Sequence, residues 1–263
     1  MTVESGSGPG ESHVSRRVAF LRHGPLDVPG ILGSRAAELG FDVREFRADC
    51  VGDPLPAPEE FGGIVVMGSI ESVNDTQLEW IARERALIAT AIDRNVPVFG
   101  VCFGGQILAQ ALGGRVITSP EPEVGWLPIR TANPSLVPEG PWLLWHEEAV
   151  VPPSGAVVVA RTDVAVQAYV KGHHIGVQFH PEVTSGLIDS WINEAQQRGD
   201  VTSEQRRALW DDVERLTAMS ARNAGRLFDG FLHQAGLLGT PTYSSSSSRS
   251  CHEGACSGHV AEG

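Results

Sequence analysis

The sequence predicts a three-layer α/β fold: a mostly parallel sheet with helices on both faces and a β-rich insertion. Three observations predict it. Short apolar runs alternate with helical periodicities through the first half of the chain. One of those runs passes through Gly100-Val101-Cys102-Phe103-Gly104 directly into a helix. Several β-like runs then crowd between residues 142 and 179 before helical patterns return.

Taken in order, Arg17 to Leu21 is a short buried strand, and Ile31 to Leu39 is a helix ended by Gly40. Val43 to Phe46 is a second strand. Ile64 to Met67 is a third, apolar on both faces. Leu78, Ile81, Ile88 and Ile92, with Leu87 beside them, mark a helix. Val96 to Val101 is a fourth strand, and Phe103 to Leu112 a helix closed by Gly113-Gly114. Strand and helix alternating at this spacing build a parallel sheet covered on both faces. Trp142 to Val151, Ala156 to Ala160, Val164 to Val170 and His174 to Phe179 read as further strands. Thr202 and Gln205 form a capping-box pattern at the start of the C-terminal helical region.

The chain has 263 residues, 41% of them apolar and 20% charged, which is ordinary globular composition. One domain is expected over 17–238, with 1–16 and 239–263 as disordered tails. The first tail lacks apolar periodicity, and the second contains the run Ser244 to Ser248. The formal net charge of −12 repels phosphate backbones and argues against nucleic-acid binding. No run approaches the roughly 20 apolar residues of a membrane helix, and Met1 to Ser15 has no signal-peptide core. A cytoplasmic protein is the expectation, with no membrane partner. Four scattered cysteines do not make a disulfide scaffold.

Two segments carry chemistry. In the first, the strand-to-helix turn presents Cys102 at the carboxyl end of the sheet, where open α/β folds bind ligands. Gly100 and Gly104 keep side chains out of this crowded turn. A helix N-terminus offers a dipole and free N–H groups that favour a thiolate over a thiol. In the second, Gly176-Val177-Gln178-Phe179-His180-Pro181-Glu182, the proline keeps His180 extended. Residues two apart on an extended chain share a face, so Glu182 lies beside His180 and can orient it. Thiol, base and orienting acid complete a triad by role.

Together, Gly-Val-Cys-Phe-Gly-Gly-Gln and Gln-Phe-His-Pro-Glu-Val resemble the class I glutamine amidotransferases, over most of residues 17–185. The resemblance implies a flavodoxin-like domain whose insertion, from about 118 to 180, brings His180 back to the turn. It implies Cys102 as nucleophile, His180 as general base and Glu182 as orienting acid. It places Gln106 against bound glutamine and the Phe103 N–H at the oxyanion, and it requires no cofactor and no metal. The family's Gly-Gly-Pro turn after the third strand reads Gly68-Ser69-Ile70 here. Ser69 keeps the second oxyanion N–H but resists the positive φ that glycine accepts freely. Gly68 and His146, the latter within Trp145-His146-Glu147-Glu148, are further candidates for lining the substrate pocket. Glu123-Val124-Gly125-Trp126 also resembles the family and reads as architectural.

The implied activity is hydrolysis of the glutamine side-chain amide through a Cys102 thioester, with ammonia passed to a synthetase partner in trans. The alternatives are a γ-glutamyl hydrolase or transferase acting on a small-molecule γ-glutamyl amide, and a degenerate binding subunit, which Ser69 alone favours. His23, at the end of the first strand, is a candidate for the site's surroundings. Cys50 reads as a structural or surface thiol. Cys251, His252, Glu253, Cys256 and His259 have the chemistry of metal ligands, but their irregular spacing in a Ser/Gly-rich tail reads as fortuitous. Deleting residues 240–263 is therefore expected to leave the melting temperature nearly unchanged, because such a segment buries little. A large loss of stability or of bound metal in a truncation experiment contradicts this.

Overall fold

The computed structural model describes residues 15–211 and 213–239. In chain order the elements are β1 (Arg17–Arg22), α1 (Gly30–Glu38), β2 (Asp42–Arg47), β3 (Gly63–Val66), α2 (Glu79–Asp93), β4 (Val98–Val101), α3 (Phe103–Ala111), β5 (Arg115–Leu127), β6 (Arg130–Thr131), β7 (Trp142–Val151), β8 (Val157–Arg161), β9 (Val166–Lys171), β10 (His174–Val177), α4 (Ser185–Arg198), α5 (Ser203–Trp210) and α6 (Val213–Gln234). Among the described residues the main sheet has the order β2-β1-β3-β4-β10-β9-β8-β6. Its first five strands run parallel, and the rest pair antiparallel.

The alternation of side chains along each strand builds the three layers. Val18 and Phe20, Val65 and Met67, and Phe99 and Val101 pack on one face with Leu32 and Ala36 of α1 and Phe228 and Phe231 of α6. Ala19 and Leu21, Ile64 and Val66, and Val98 pack on the other with Ile81 and Ile88 of α2 and Ile107 and Leu108 of α3. Arg35 of α1 holds Asp229 of α6 through two parallel hydrogen bonds of 2.8 and 2.7 Å.

The β-rich stretch is shared between two sheets. β5 and β7 pair as a separate two-stranded sheet, whereas β6, β8, β9 and β10 extend the main sheet. Sequence patterning missed β5 because Pro120 and Pro122 interrupt it. Proline cannot donate to a ladder, and the register between β5 and β7 breaks between Thr118 and Glu123. Helix α4 was also unanticipated. Its apolar residues Leu187, Ile188, Ile192 and Ala195 are buried, and Thr184 caps it by accepting from Leu187 N–H. The Thr202–Gln205 capping box is present in both directions.

At the N-terminal boundary the described part of the expected tail is attached. Ser15 Oγ donates to Glu60 O at 2.8 Å, and Arg16 donates to Leu39 O at 2.6 Å while lying over the Phe41 ring. Residues 1–14 and 240–263, with the Cys251–His259 cluster, lie outside the described residues. Among the described residues no helix is long and apolar enough to cross a membrane.

One fold contact titrates. His174 Nδ1 accepts a hydrogen bond from Val98 N–H at 3.2 Å, so this ring is held neutral at the root of β4. Burial, with His173 and Lys171 nearby, pushes its pKa down to about 4 from 6.5. Its contribution to stability is complete above the unfolded value of about 6.5 and is lost as pH falls towards the folded value, because the unfolded chain takes up the proton first. His174→Asn keeps an acceptor in place of Nδ1 and removes the titration. Its denaturation midpoint is expected to fall less than that of the unaltered chain on acidification through this window; equal falls contradict it.

Candidate active site

The carboxyl ends of β1, β3, β4 and β10 converge on Cys102. The chain leaves β4 and enters α3 through Cys102 with φ 50° and ψ −109°, a backbone that a side-chain-bearing residue rarely adopts. Only missing Cβ atoms permit the turn. A Cβ on Gly100 would lie 2.3 Å from Gly104 O, and one on Gly104 would lie 2.0 Å from Val66 O. Cys102 N–H donates to Val177 O at 2.8 Å, and Cys102 O accepts from Gln106 N–H at 2.9 Å. The turn is thereby tied to the end of β10 and to the first turn of α3. Cys102 itself is 6% exposed.

Three residues past β10, His180 N–H donates to Leu143 O of β7 at 2.9 Å, so the ring enters from a fixed backbone. Its Nδ1 lies 2.8 Å from Glu182 Oε1, with both side chains almost fully buried. The Glu182 carbonyl accepts from Ile31 N–H at 2.9 Å, which moors this segment to α1. Trp191 of α4 packs edge-on against the His180 ring, with centroids 4.9 Å apart. Burial alone would lower the His180 pKa. The Glu182 carboxylate and the hydrogen-bonded Cys102 sulfur outweigh it and hold the imidazole well above its ordinary range.

Gly68 completes the enclosure. A Cβ there would lie 3.3 Å from His180 Cε1, pressing on that ring, and 3.9 Å from Cys102 Cβ, in ordinary contact. The expectation that Ser69 must resist a positive φ fails. Among the described residues, side-chain-bearing positions with positive φ are Asn95 and Cys102, so serine at 69 is under no such strain. Its Oγ accepts from Glu71 N–H at 3.2 Å. Neither Ser69 N–H nor Phe103 N–H is taken up by a hydrogen bond among the described residues. Two peptide donors are thus left open, one on the residue after Cys102 and one on the residue after Gly68.

Gln106 is buried one turn into α3 and donates to Gln178 Oε1 at 3.3 Å. Gln178 Nε2 in turn lies 3.6 Å from the Cys102 sulfur. His146 turns away from the sulfur. Its Nδ1 lies 2.9 Å from Glu148 O, and its Nε2 faces Glu123 and Gln167 at 3.3 and 3.4 Å in a buried polar cluster. The adjacent Trp145 is the nearer neighbour, its carbonyl 3.9 Å from Cys102 Sγ. His23 is buried against Gly68 and Glu84. Cys50 is a half-buried free thiol apart from this cluster. Sequence reasoning missed Gln178 and Trp191 as site residues, and also Asp27, whose carboxyl burial pushes up to about 6, with His23, Glu182 and His180 as charged neighbours. Gln178 was readable, since it sits within the His-Pro-Glu segment.

The family described as glutamine amidotransferase class-I matches residues 31–195. A GMP synthase [glutamine-hydrolyzing] of Aeropyrum pernix is 28% identical over 233 residues, 76% of this chain and 44% of that protein. The Vibrio cholerae protein of that name is 34% identical over 152 residues, 54% of this chain and 26% of its own length. The chain therefore spans less than half the length of these curated relatives. Among solved structures, a glutamine amido transferase from Methylobacillus flagellatus superposes with a TM-score of 0.76 at 28% identity, over 84% of this chain and 95% of that one. A Thermotoga maritima glutamine amidotransferase shares the fold with a TM-score of 0.73 at 23% identity, over 85% and 99%.

The His180–Glu182 pair makes a signed prediction. A raised folded pKa means that the pair's contribution to stability is complete below the unfolded value of about 6.5 and is lost as pH rises through the folded value. In Glu182→Gln the imidazole must fold without its counter-charge. The stability gap between the two proteins is expected to be largest below about pH 6.5 and to narrow at alkaline pH. Urea midpoints across pH measure this; a gap that is constant or widens with pH contradicts the assignment.

Proposed function

Because this chain belongs to the class I glutamine amidotransferase family, we propose that it hydrolyses the side-chain amide of glutamine at Cys102 and passes the ammonia to a synthetase partner. The observation that carries this reading is a constrained cysteine beside a buried imidazole paired with a carboxylate, with two unengaged peptide N–H groups on the adjoining turns.

The thiol of Cys102 gives its proton to His180, and the sulfur attacks the δ-carbonyl carbon of glutamine. The C=O electrons move onto oxygen, where Ser69 N–H and Phe103 N–H take up the developing charge. The His180 imidazolium, sustained by Glu182, gives a proton to the amide nitrogen as the C–N bond breaks and ammonia leaves. The resulting thioester is opened by water, which His180 deprotonates. Glutamate departs as the thiol recovers its proton. Gln106 and Gln178 line the approach to the sulfur, and Gly68 leaves room for the substrate beside His180. His146 supports the β7 side of the site through Glu123 and Gln167. No step requires a metal or an organic cofactor. The curated relatives carry the name GMP synthase; from them we take only that the ammonia is used in a synthetase reaction.

The test is steady-state glutamate and ammonia release by the purified chain on glutamine and on a panel of γ-glutamyl amides. Cys102→Ser is expected to lower kcat by a factor on the order of 10³ or more, with the fold intact. Glutamine is expected to have the highest kcat/KM of the panel. A γ-glutamyl amide preferred by more than about tenfold, roughly 1.4 kcal/mol of transition-state stabilisation, supports a γ-glutamyl hydrolase instead. Turnover that survives Cys102→Ser removes the thioester reaction. Since Ser69 has no positive φ to relieve, Ser69→Gly is expected to change kcat by less than about threefold. A large rise would point to a strained turn.

A further inference from the structure

The reaction above leaves one buried charged pair unused. His23, at the end of β1, and Glu84, on α2, have no exposed side-chain surface. His23 Nε2 lies 3.0 Å from both Glu84 carboxylate oxygens, and Nδ1 lies 2.7 Å from Gly68 O. A carbonyl oxygen only accepts, so Nδ1 carries hydrogen and donates. Burial opposes charging the ring, but Glu84 and the bond to Gly68 more than offset it, and its pKa is raised. Burying such a pair is costly, and an apolar pair of equal volume is often no less stable. Fold stability alone therefore gives little reason for it.

Its target gives a better one. The Gly68 carbonyl and the Ser69 N–H belong to one peptide unit. In a planar trans peptide they point in opposite directions, and the only cis peptide among the described residues is Gly140–Pro141. Fixing the oxygen on His23 therefore fixes where the N–H points. The need for such a restraint is visible at Gly68. The nearby His180 Cε1 crowds a side chain at this position, and glycine is the residue whose following peptide is least held by its own sterics. His23 also packs its ring 4.8 Å from that of Phe103, the residue bearing the other open N–H, and 5.1 Å from Trp80.

We infer that the Glu84–His23 pair is a positioning device for the oxyanion hole: Glu84 orients the His23 ring, and His23 locks the Gly68–Ser69 peptide so that the Ser69 N–H faces the reacting carbonyl at Cys102. This rests on the reading of the site given under Proposed function. His23 touches no substrate. It acts through Gly68 and, by packing, through Phe103.

Two substitutions separate this role from a structural one. In His23→Asn the amide nitrogen reaches the place of Nδ1 and can still donate to Gly68 O. In His23→Gln it reaches the place of Nε2 instead, keeping the contact to Glu84 and losing the one to Gly68. With glutamine as substrate, the asparagine variant is expected to keep kcat within about fivefold. The glutamine variant is expected to lose about 50-fold or more, with KM changed less than about twofold in both, as befits a donor used in the transition state. Binding of glutamate γ-semialdehyde, whose adduct with the thiol carries the same oxyanion, is expected to weaken in the glutamine variant in proportion to kcat. A glutamine variant as active as the asparagine variant, or losses confined to KM, overturns the inference. Should the glutamine variant not fold, the asparagine variant decides alone, since a loss beyond about fivefold in it also overturns the inference. If the unaltered chain shows no Cys102-dependent glutamine hydrolysis, the reading of the site fails first and this inference falls with it.

Discussion

The site depends on a single strained turn. At Cys102 the backbone takes a φ of 50° between a buried strand and a helix, and the surrounding atoms leave no room for a Cβ at Gly100 or Gly104. A non-glycine residue at positive φ costs on the order of 1–3 kcal/mol and persists only where its surroundings over-determine it. Here they do. The Cys102 N–H is bound to β10 and its carbonyl to α3, while both neighbouring strands are buried in the sheet. What the strain secures is position. The sulfur sits at the carboxyl edge of the sheet, at a helix start whose first N–H is open.

Everything else in the site is arranged relative to that fixed sulfur. The bond from Cys102 N–H to Val177 O means that the strand presenting the nucleophile and the strand leading to His180 cannot shift independently. His180 is then held on four sides: by Leu143 through its backbone, by Glu182 through its ring, by Trp191 at its edge, and by Gly68, whose small size admits it. The β3 turn is held in turn by His23. A buried imidazole with this many fixed neighbours loses little orientational freedom when a substrate arrives. That is the sense in which an enzyme site is preorganised.

Much of this was legible in the sequence, for local reasons. The elbow is a contiguous pattern, because a tight turn needs glycines at fixed offsets from Cys102. The His180–Glu182 pair is likewise two residues apart across a proline. The strand and helix runs of the parallel half follow from periodicity alone. What escaped was either non-local or disguised. His23 and Glu84 are 61 residues apart and meet only because β1 and α2 pack together. Asp27 lies in an unpatterned loop. β5 hides its strand character behind Pro120 and Pro122. Trp191 is the exception: Leu187, Ile188, Trp191, Ile192 and Ala195 stand at helical spacing, so α4 is legible from periodicity. The concern over Ser69 misjudged the backbone, because a departure from the family's glycine does not by itself say which φ the position adopts.

The most direct test of the account is to look for the covalent intermediate. Rapid acid quench of the full chain during turnover of glutamine, followed by peptide mass spectrometry, is predicted to show a glutamyl thioester on the peptide containing Cys102, absent from Cys50 and absent in Cys102→Ser. No adduct under turnover, or an adduct on another residue, would contradict the central claim that this constrained cysteine is the nucleophile.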